Sequence, residues 1–246
     1  MKLASDLPFN LNPIQDITDN LPKNPKGDWL NMILKRADGS RRKGARPFSD
    51  IKRISVHHTA VEGVPEGHAR YHIGKGYGGI AYHVYIKGNQ IYQVNDLLAL
   101  TWHTGNNNYD TIGISVEGNF TQRSLTSQER MNLYGAIITV MDIFNIPVEN
   151  VFGHRELSGG TSCPGFNMDE VRKDLKNILL EMEYRKTEEY RTASIVDYYA
   201  RVHHLYEVYQ SRSQYWEDAE RKRFTIYKLA EEHEVMLPTL KGKTNV

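Results

Sequence analysis

The sequence predicts an α/β fold, a mixed, mainly central β-sheet flanked by helices, with an N-terminal extended segment and a C-terminal helical extension. Three observations carry this. Short β-branched runs alternate with amphipathic stretches between positions 49 and 183. A Gly88-Asn89 pair separates two of the runs, and two helix-start signatures, at Thr126 and Asn167, precede the longest amphipathic stretches. Strands interleaved with helices imply a sheet with helical cover, and such sheets place sites at strand ends and in the loops beyond them.

In chain order, the stretch 51–57 reads as a strand. The stretches 80–86 and 90–94 read as a hairpin, because Gly88-Asn89 is a strong turn pair between apolar runs. The stretch 112–117 reads as a further strand. Thr126-Ser127-Gln128-Glu129 has capping-box form and opens a helix with Leu133, Ile137, Val140 and Phe144 on one face, ended before Pro147. Asn167 with Glu170 starts another, carrying Val171, Leu175, Ile178 and Met182.

Around this centre, composition marks two further parts. Residues 1–48 carry five of the nine prolines and read as an extended lead-in that wraps or tethers, with a short helix at 29–34. Its basic run, 35–46, holds two glycines and no apolar periodicity, and reads as a solvated loop. Residues 49–183 read as the compact domain, and 184–246 shift to a Tyr-rich, charged, helical composition. There Ile195, Tyr199, Val202, Tyr206, Tyr209 and Trp216 make a heptad-like seam for docking on the domain or on another copy, which would give a homo-oligomer.

Bulk properties exclude several classes. A formal net charge of +1 argues against nucleic acid as a partner and against general membrane adsorption. No stretch is long and apolar enough to span a bilayer, so no stable membrane insertion is expected. The N-terminus lacks the apolar core of a secretory signal, which points to synthesis in the cytoplasm.

The chemistry-bearing residues lie in three separated pieces: Val56-His57-His58-Thr59, Ala81-Tyr82-His83-Val84, and His154-Arg155 followed by Cys163-Pro164-Gly165-Phe166. Cys163 is the only cysteine, so it has no disulfide partner within the chain and metal ligation is the first reading to test. Two imidazoles and a thiolate make a three-ligand zinc site with one position open, the arrangement of a catalytic Zn2+. Neighbours on a strand point to opposite faces, so only one of His57 and His58 readily faces such a metal.

Together with Tyr71-His72, Trp102-His103-Thr104-Gly105 and Ser115-Val116-Glu117-Gly118, these motifs resemble the type 2 zinc-dependent N-acetylmuramoyl-L-alanine amidases. That superfamily includes phage lysozyme-type amidases and animal peptidoglycan recognition proteins. The likeness covers roughly residues 50–180, in order, and it is the set of spacings that is specific. The resemblance implies a groove for bacterial peptidoglycan and hydrolysis of the amide between N-acetylmuramic acid and L-alanine. It further implies His57, His154 and Cys163 as zinc ligands, leaving His58 structural. Tyr82 matches the tyrosine that orients or polarises the zinc-bound water, and Thr161 a position that contacts the developing oxyanion. A threonine there is a neutral donor, weaker than the lysine found in some relatives. Ser115 and Cys163 both depart from the recycling branch, which carries glutamate and aspartate at those positions. A phage or prophage lysin acting at the bacterial cell wall is the role this implies.

Other residues divide between function and packing. His103 and Trp102 are candidates for substrate contact or for packing the groove wall, and Glu117 for acid–base or substrate work or strand-end structure. A non-cleaving peptidoglycan-binding module and a virion-associated structural protein are the alternatives to an enzyme. Loss of a zinc ligand is the usual route to the former, and Cys163 argues against it.

Overall fold

The computed structural model describes residues 1–24, 26, 33–35, 41–43 and 46–186. The chain divides into two compact units, Met1–Leu180 and Glu181–Val246. Most of the second unit, including the seam of 195–216, lies outside the described residues.

Eight strands are present among the described residues: β1 (Gln15–Asp16), β2 (Ile33–Lys35), β3 (Arg41–Lys43), β4 (Arg53–His58), β5 (Val84–Lys87), β6 (Gln90–Gln93), β7 (Thr111–Val116) and β8 (Val151–Gly153). Helices α1 (Pro65–Gly74), α2 (Ser127–Phe144), α3 (His154–Leu157) and α4 (Met168–Arg185) complete the set. Six strands form one sheet in the order β1-β6-β5-β7-β4-β8. Only the β5–β6 hairpin is antiparallel; β1–β6, β5–β7, β7–β4 and β4–β8 are parallel. The mixed α/β sheet expected from the sequence is therefore the fold. Gly88, at φ 56°, supplies the left-handed residue that the hairpin turn needs.

The central strands are buried on both faces, and their register sorts the faces by chemistry. Val56 pairs with Ile114 and Val84 with Ile114, so Ile54, Val56, Ile112, Ile114, Val116, Val84 and Ile86 share one apolar face. Each such side chain stabilises the fold by roughly 1.5–3 kcal/mol on burial. Helix α2 packs against β5, β6 and β7. The opposite face carries Ser55, His57, Gly113, Ser115 and Tyr85. Polar side chains on a buried sheet face need partners, and the site is built there.

Both reciprocal bonds of the expected capping box are made: Thr126 Oγ1 accepts from the Glu129 N–H, and the Glu129 carboxylate accepts from the Thr126 N–H. The expected Leu133, Ile137, Val140 and Phe144 are buried, but so are Tyr134, Ile138 and Met141, and the Tyr134 hydroxyl donates to Asp174 of α4; the lead-in meets the helix at Gly135 and Thr139. The Ala4 N–H donates to Thr139 Oγ1, and a Cβ added at Gly135 would stand 2.2 Å from Leu11.

Two expectations for the lead-in need correction. Ile33 and Leu34, assigned to a short helix at 29–34, belong to β2, which pairs antiparallel with β3; the rest of that stretch lies outside the described residues. The basic run 35–46 is no uniform solvated loop. Its Lys35 and Arg41–Lys43 are in strands, and Arg46 is fully buried. Periodicity had no purchase on a single arginine whose partners are carbonyls of a distant loop.

Candidate metal site

His57 and His58 leave β4 on opposite faces. His57 points into the polar side, fully buried, with Nδ1 3.7 Å from Cys163 Sγ. Its Nε2 is ringed by Ser55 Oγ at 2.9 Å, His103 Nδ1 at 3.1 Å and Thr104 Oγ1 at 3.2 Å. The His58 imidazole turns away, Nδ1 accepting from the Phe120 N–H, while its own backbone N–H donates to Cys163 Sγ at 3.3 Å. His154 opens α3 immediately after β8, half-buried, its ring 4.7 Å from that of His57. The loop after α3 folds back so that the Cys163 carbonyl accepts from the Arg155 N–H.

One donor atom each from His57, His154 and Cys163 lies within 4.8 Å of the others. Tetrahedral zinc with nitrogen and sulfur at about 2.0–2.3 Å would need donors ~3.3–3.8 Å apart, so small rotations of these side chains suffice. The donor set is also of the right kind: borderline nitrogen and soft sulfur suit zinc.

The protonation states agree with such use. Burial, then the neighbouring His103, His154 and His58, holds His57 well below the ordinary imidazole range, and burial lowers His154, so both are neutral imidazoles near pH 7. Burial pushes the Cys163 thiol up to about 11, with the His58 N–H and Arg155 acting against it. Without a cation it is a thiol at neutral pH; a bound divalent metal would displace its proton.

The other predicted residues are scattered around this centre. The Tyr82 ring is 5.4 Å from that of His57, and burial first, then Cys163, raises its phenol pKa. It therefore stays protonated, a hydrogen-bond donor and not a base. Ser115, whose buried hydroxyl has no partner in hydrogen-bonding geometry, sits next to that phenol and only partly offsets the shift. Thr161 Oγ1 accepts from the Cys163 N–H at 3.1 Å, which leaves its own proton to donate.

His103 is turned to the interior. It lies under His57, buried, with Nδ1 2.6 Å from Thr104 Oγ1. Glu117 is also occupied: its Oε1 accepts from the Gly63 N–H at 2.8 Å and from Lys87 Nζ at 2.9 Å. That ion pair ties the end of β7 to β5. Trp102 is half-buried, its ring stacked 6.3 Å from Tyr77, and Tyr77 stacks in turn on His72 at 5.8 Å. Ser55 and Thr104 went unnoticed as site residues. Ser55 had a usable signal, since it is two positions before His57 on one strand and must share its face.

His72 gives this region an acid sensitivity. Its Nδ1 accepts from the Ala81 N–H, and burial, then His68, lowers its pKa to about 4. Between that value and the unfolded 6.5, the unfolded chain binds more protons, so the stabilisation is full above 6.5 and lost as pH falls toward 4. This one group accounts for about 3 kcal/mol, and His57, His83 and His103 shift in the same direction. The urea midpoint of the metal-free protein should therefore drop clearly from pH 7 to pH 4.5; an unchanged midpoint would contradict the neutral buried histidines.

The fold and donor set define a domain able to hold one divalent metal beyond the ends of parallel strands. Residues 47–166, just under half of the chain, match the family model described as N-acetylmuramoyl-L-alanine amidase, so the resemblance drawn from the motifs is borne out over that stretch. Similar solved structures include the N-acetylmuramoyl-L-alanine amidase LysC from Clostridium intestinale URNW, 28% identical, with 56% of this chain and 95% of that chain covered at a TM-score of 0.49. The Ph2119 endolysin from the Thermus scotoductus MAT2119 bacteriophage Ph2119 is 20% identical, covering 66% of this chain and 97% of its own at 0.49. Drosophila PGRP-LB is 19% identical, with 64% and 91% covered at 0.48. No curated protein matches. Among the described residues no helix is long and apolar enough to cross a membrane.

Proposed function

We propose that this protein is a zinc-dependent N-acetylmuramoyl-L-alanine amidase that cleaves the amide between N-acetylmuramic acid and L-alanine in bacterial peptidoglycan, as a phage or prophage lysin. The observation that carries the reading is the convergence of His57, His154 and Cys163 inside the segment matched to the amidase family. Zinc held there would supply Lewis acidity and a water acidified to a pKa of roughly 7. Tyr82, kept protonated by burial, would offer its phenol hydrogen to such a water. Thr161 donates its hydroxyl proton to the oxygen that gains charge as the amide carbon becomes tetrahedral. Ser55, Thr104 and His103 hold the His57 ring, and the neutral imidazoles leave their lone pairs free for the metal.

Purified peptidoglycan incubated with the protein should release stem peptides with a free L-alanine amino group, seen by mass spectrometry, and a chelator should abolish the release. Cleavage at a glycosidic or interpeptide bond, or undiminished release with chelator, would overturn the reading. The same assay tests the domain division. The segment 184–246 holds none of the matched positions, so a chain ended at Tyr184 should still cleave solubilised peptidoglycan. The tail's part is then delivery or assembly.

A further inference from the structure

We propose that Arg46, His83 and His103 form a buried positioning column that fixes the imidazole of His57 for metal binding, with Arg46 contributed by a part of the chain outside the family-matched segment. The proposal rests on the reading of His57, His154 and Cys163 as the metal ligands.

Arg46 is the far end of the column. It is completely buried and, among the described residues, makes no ion pair. Its Nη1 instead donates to the carbonyls of Asn108 at 3.0 Å, Tyr109 at 3.2 Å and Thr111, and its Nη2 to that of Leu97 at 2.7 Å. Its backbone N–H adds a bond to the Leu98 carbonyl at 2.8 Å. One guanidinium thus clamps both ends of the loop 97–111, and that loop carries His103 and Thr104, two of the three groups around His57 Nε2. A buried cation without a carboxylate is costly, and the carbonyl dipoles offset that cost only in this closed loop geometry.

His83 joins the clamp to the centre. Its Nδ1 accepts from the Gly113 N–H at 2.9 Å, so its proton is on Nε2, which donates to the Ala99 carbonyl at 2.9 Å; Arg46 Nη2, 2.9 Å from the same nitrogen, packs alongside as a second donor and not as a hydrogen-bond partner. The His83 and His103 rings meet edge to face at 5.5 Å, and those of His103 and His57 likewise at 5.2 Å. Gly113 makes the slot: a Cβ there would stand 2.8 Å from His103 Cγ and Nδ1. His103 Nε2 faces Thr111, 3.4 Å from its Oγ1, so the Nδ1 lone pair points to the other side, where Thr104 Oγ1 at 2.6 Å and His57 Nε2 at 3.1 Å share it. With its proton on Nε2, His57 presents an Nδ1 lone pair toward Cys163. Groups that hold the second nitrogen of a ligating histidine set its ring orientation and commonly change metal affinity by 10–100-fold.

The test measures zinc affinity of the folded, metal-free full chain by chelator competition, with the visible spectrum of the cobalt(II)-loaded protein as a second readout. His103→Phe, which fills the slot but accepts nothing, should weaken zinc about tenfold or more and shift the cobalt bands. His103→Asn, with an amide oxygen near the place of Nδ1, should recover most of that loss. Arg46→Lys keeps the charge but loses the fork, and should weaken zinc similarly; if it does not fold, His83→Gln breaks the same column one step nearer. Unchanged affinity in folded His103→Phe, or a Phe variant that binds better than Asn, would show a space-filling role and overturn the proposal. Unchanged affinity in folded Arg46→Lys, or in His83→Gln when that variant stands in, overturns the part assigned to Arg46. A wild-type chain that binds no zinc at all would instead overturn the metal reading beneath it.

Discussion

Replacing Cys163 with serine should strip the protein of metal: about one zinc per chain by elemental analysis in the wild type, and far less in the variant. Cys163 Sγ is the one soft donor of the set, 3.7 Å from His57 Nδ1. A serine hydroxyl does not ionise near neutrality and is a poor zinc ligand. Mutating groups that merely support a ligand costs 10–100-fold in affinity, so losing a ligand should cost more than about a hundredfold, and hydrolysis should fall with it. The raised thiol pKa, about 11, adds a pH signature. Binding displaces one proton from the thiol, while the depressed histidines contribute none, so zinc affinity should tighten about tenfold per pH unit between roughly 6 and 8. Full zinc content in Cys163→Ser would remove Cys163 from the site.

Tyr82→Phe should do the opposite, keeping zinc and fold while losing most of the turnover. The ring sits against His57 and His72, and Phe preserves those contacts. What disappears is a phenol that burial keeps protonated beside His57. Removing a donor of that kind typically costs on the order of a hundred- to a thousandfold in kcat. Normal turnover with full zinc would exclude Tyr82 from the chemistry. Glu117 and His103 are poor substitutes, since one is held by Lys87 and Gly63 and the other lies beneath His57.

The four central strands β4, β5, β6 and β7 and both long helices were legible because their signals are local. Alternating apolar residues mark β4 and β7, Gly88 marks the hairpin, and the Thr126–Glu129 pair marks the start of α2. The missed elements lack such signals. Helix α1 begins at Pro65 after a valine whose side chain makes no cap, and its apolar face is small. β8 is three residues long, and β1 exists only through its pairing with β6. At the site, the motifs brought out the residues that the structure gathers around one point. Arg46 and Thr104 stayed hidden, because their roles arise from a loop closing on itself; Ser55 was missed although its place two residues before His57 puts it on the same face.

β1 has a meaning beyond its two residues. The outer side of β6 would otherwise present unpaired backbone donors and acceptors at the margin of a five-stranded sheet, a template onto which another molecule's strand could add. Gln15 and Asp16 occupy that margin, paired with Tyr92 and Gln93, and the Ile17 N–H extends the cover to the Gln93 carbonyl. Because β1 is so short and follows Pro13 closely, it leaves little edge of its own to be copied. The lead-in thus closes the sheet on the side remote from β8.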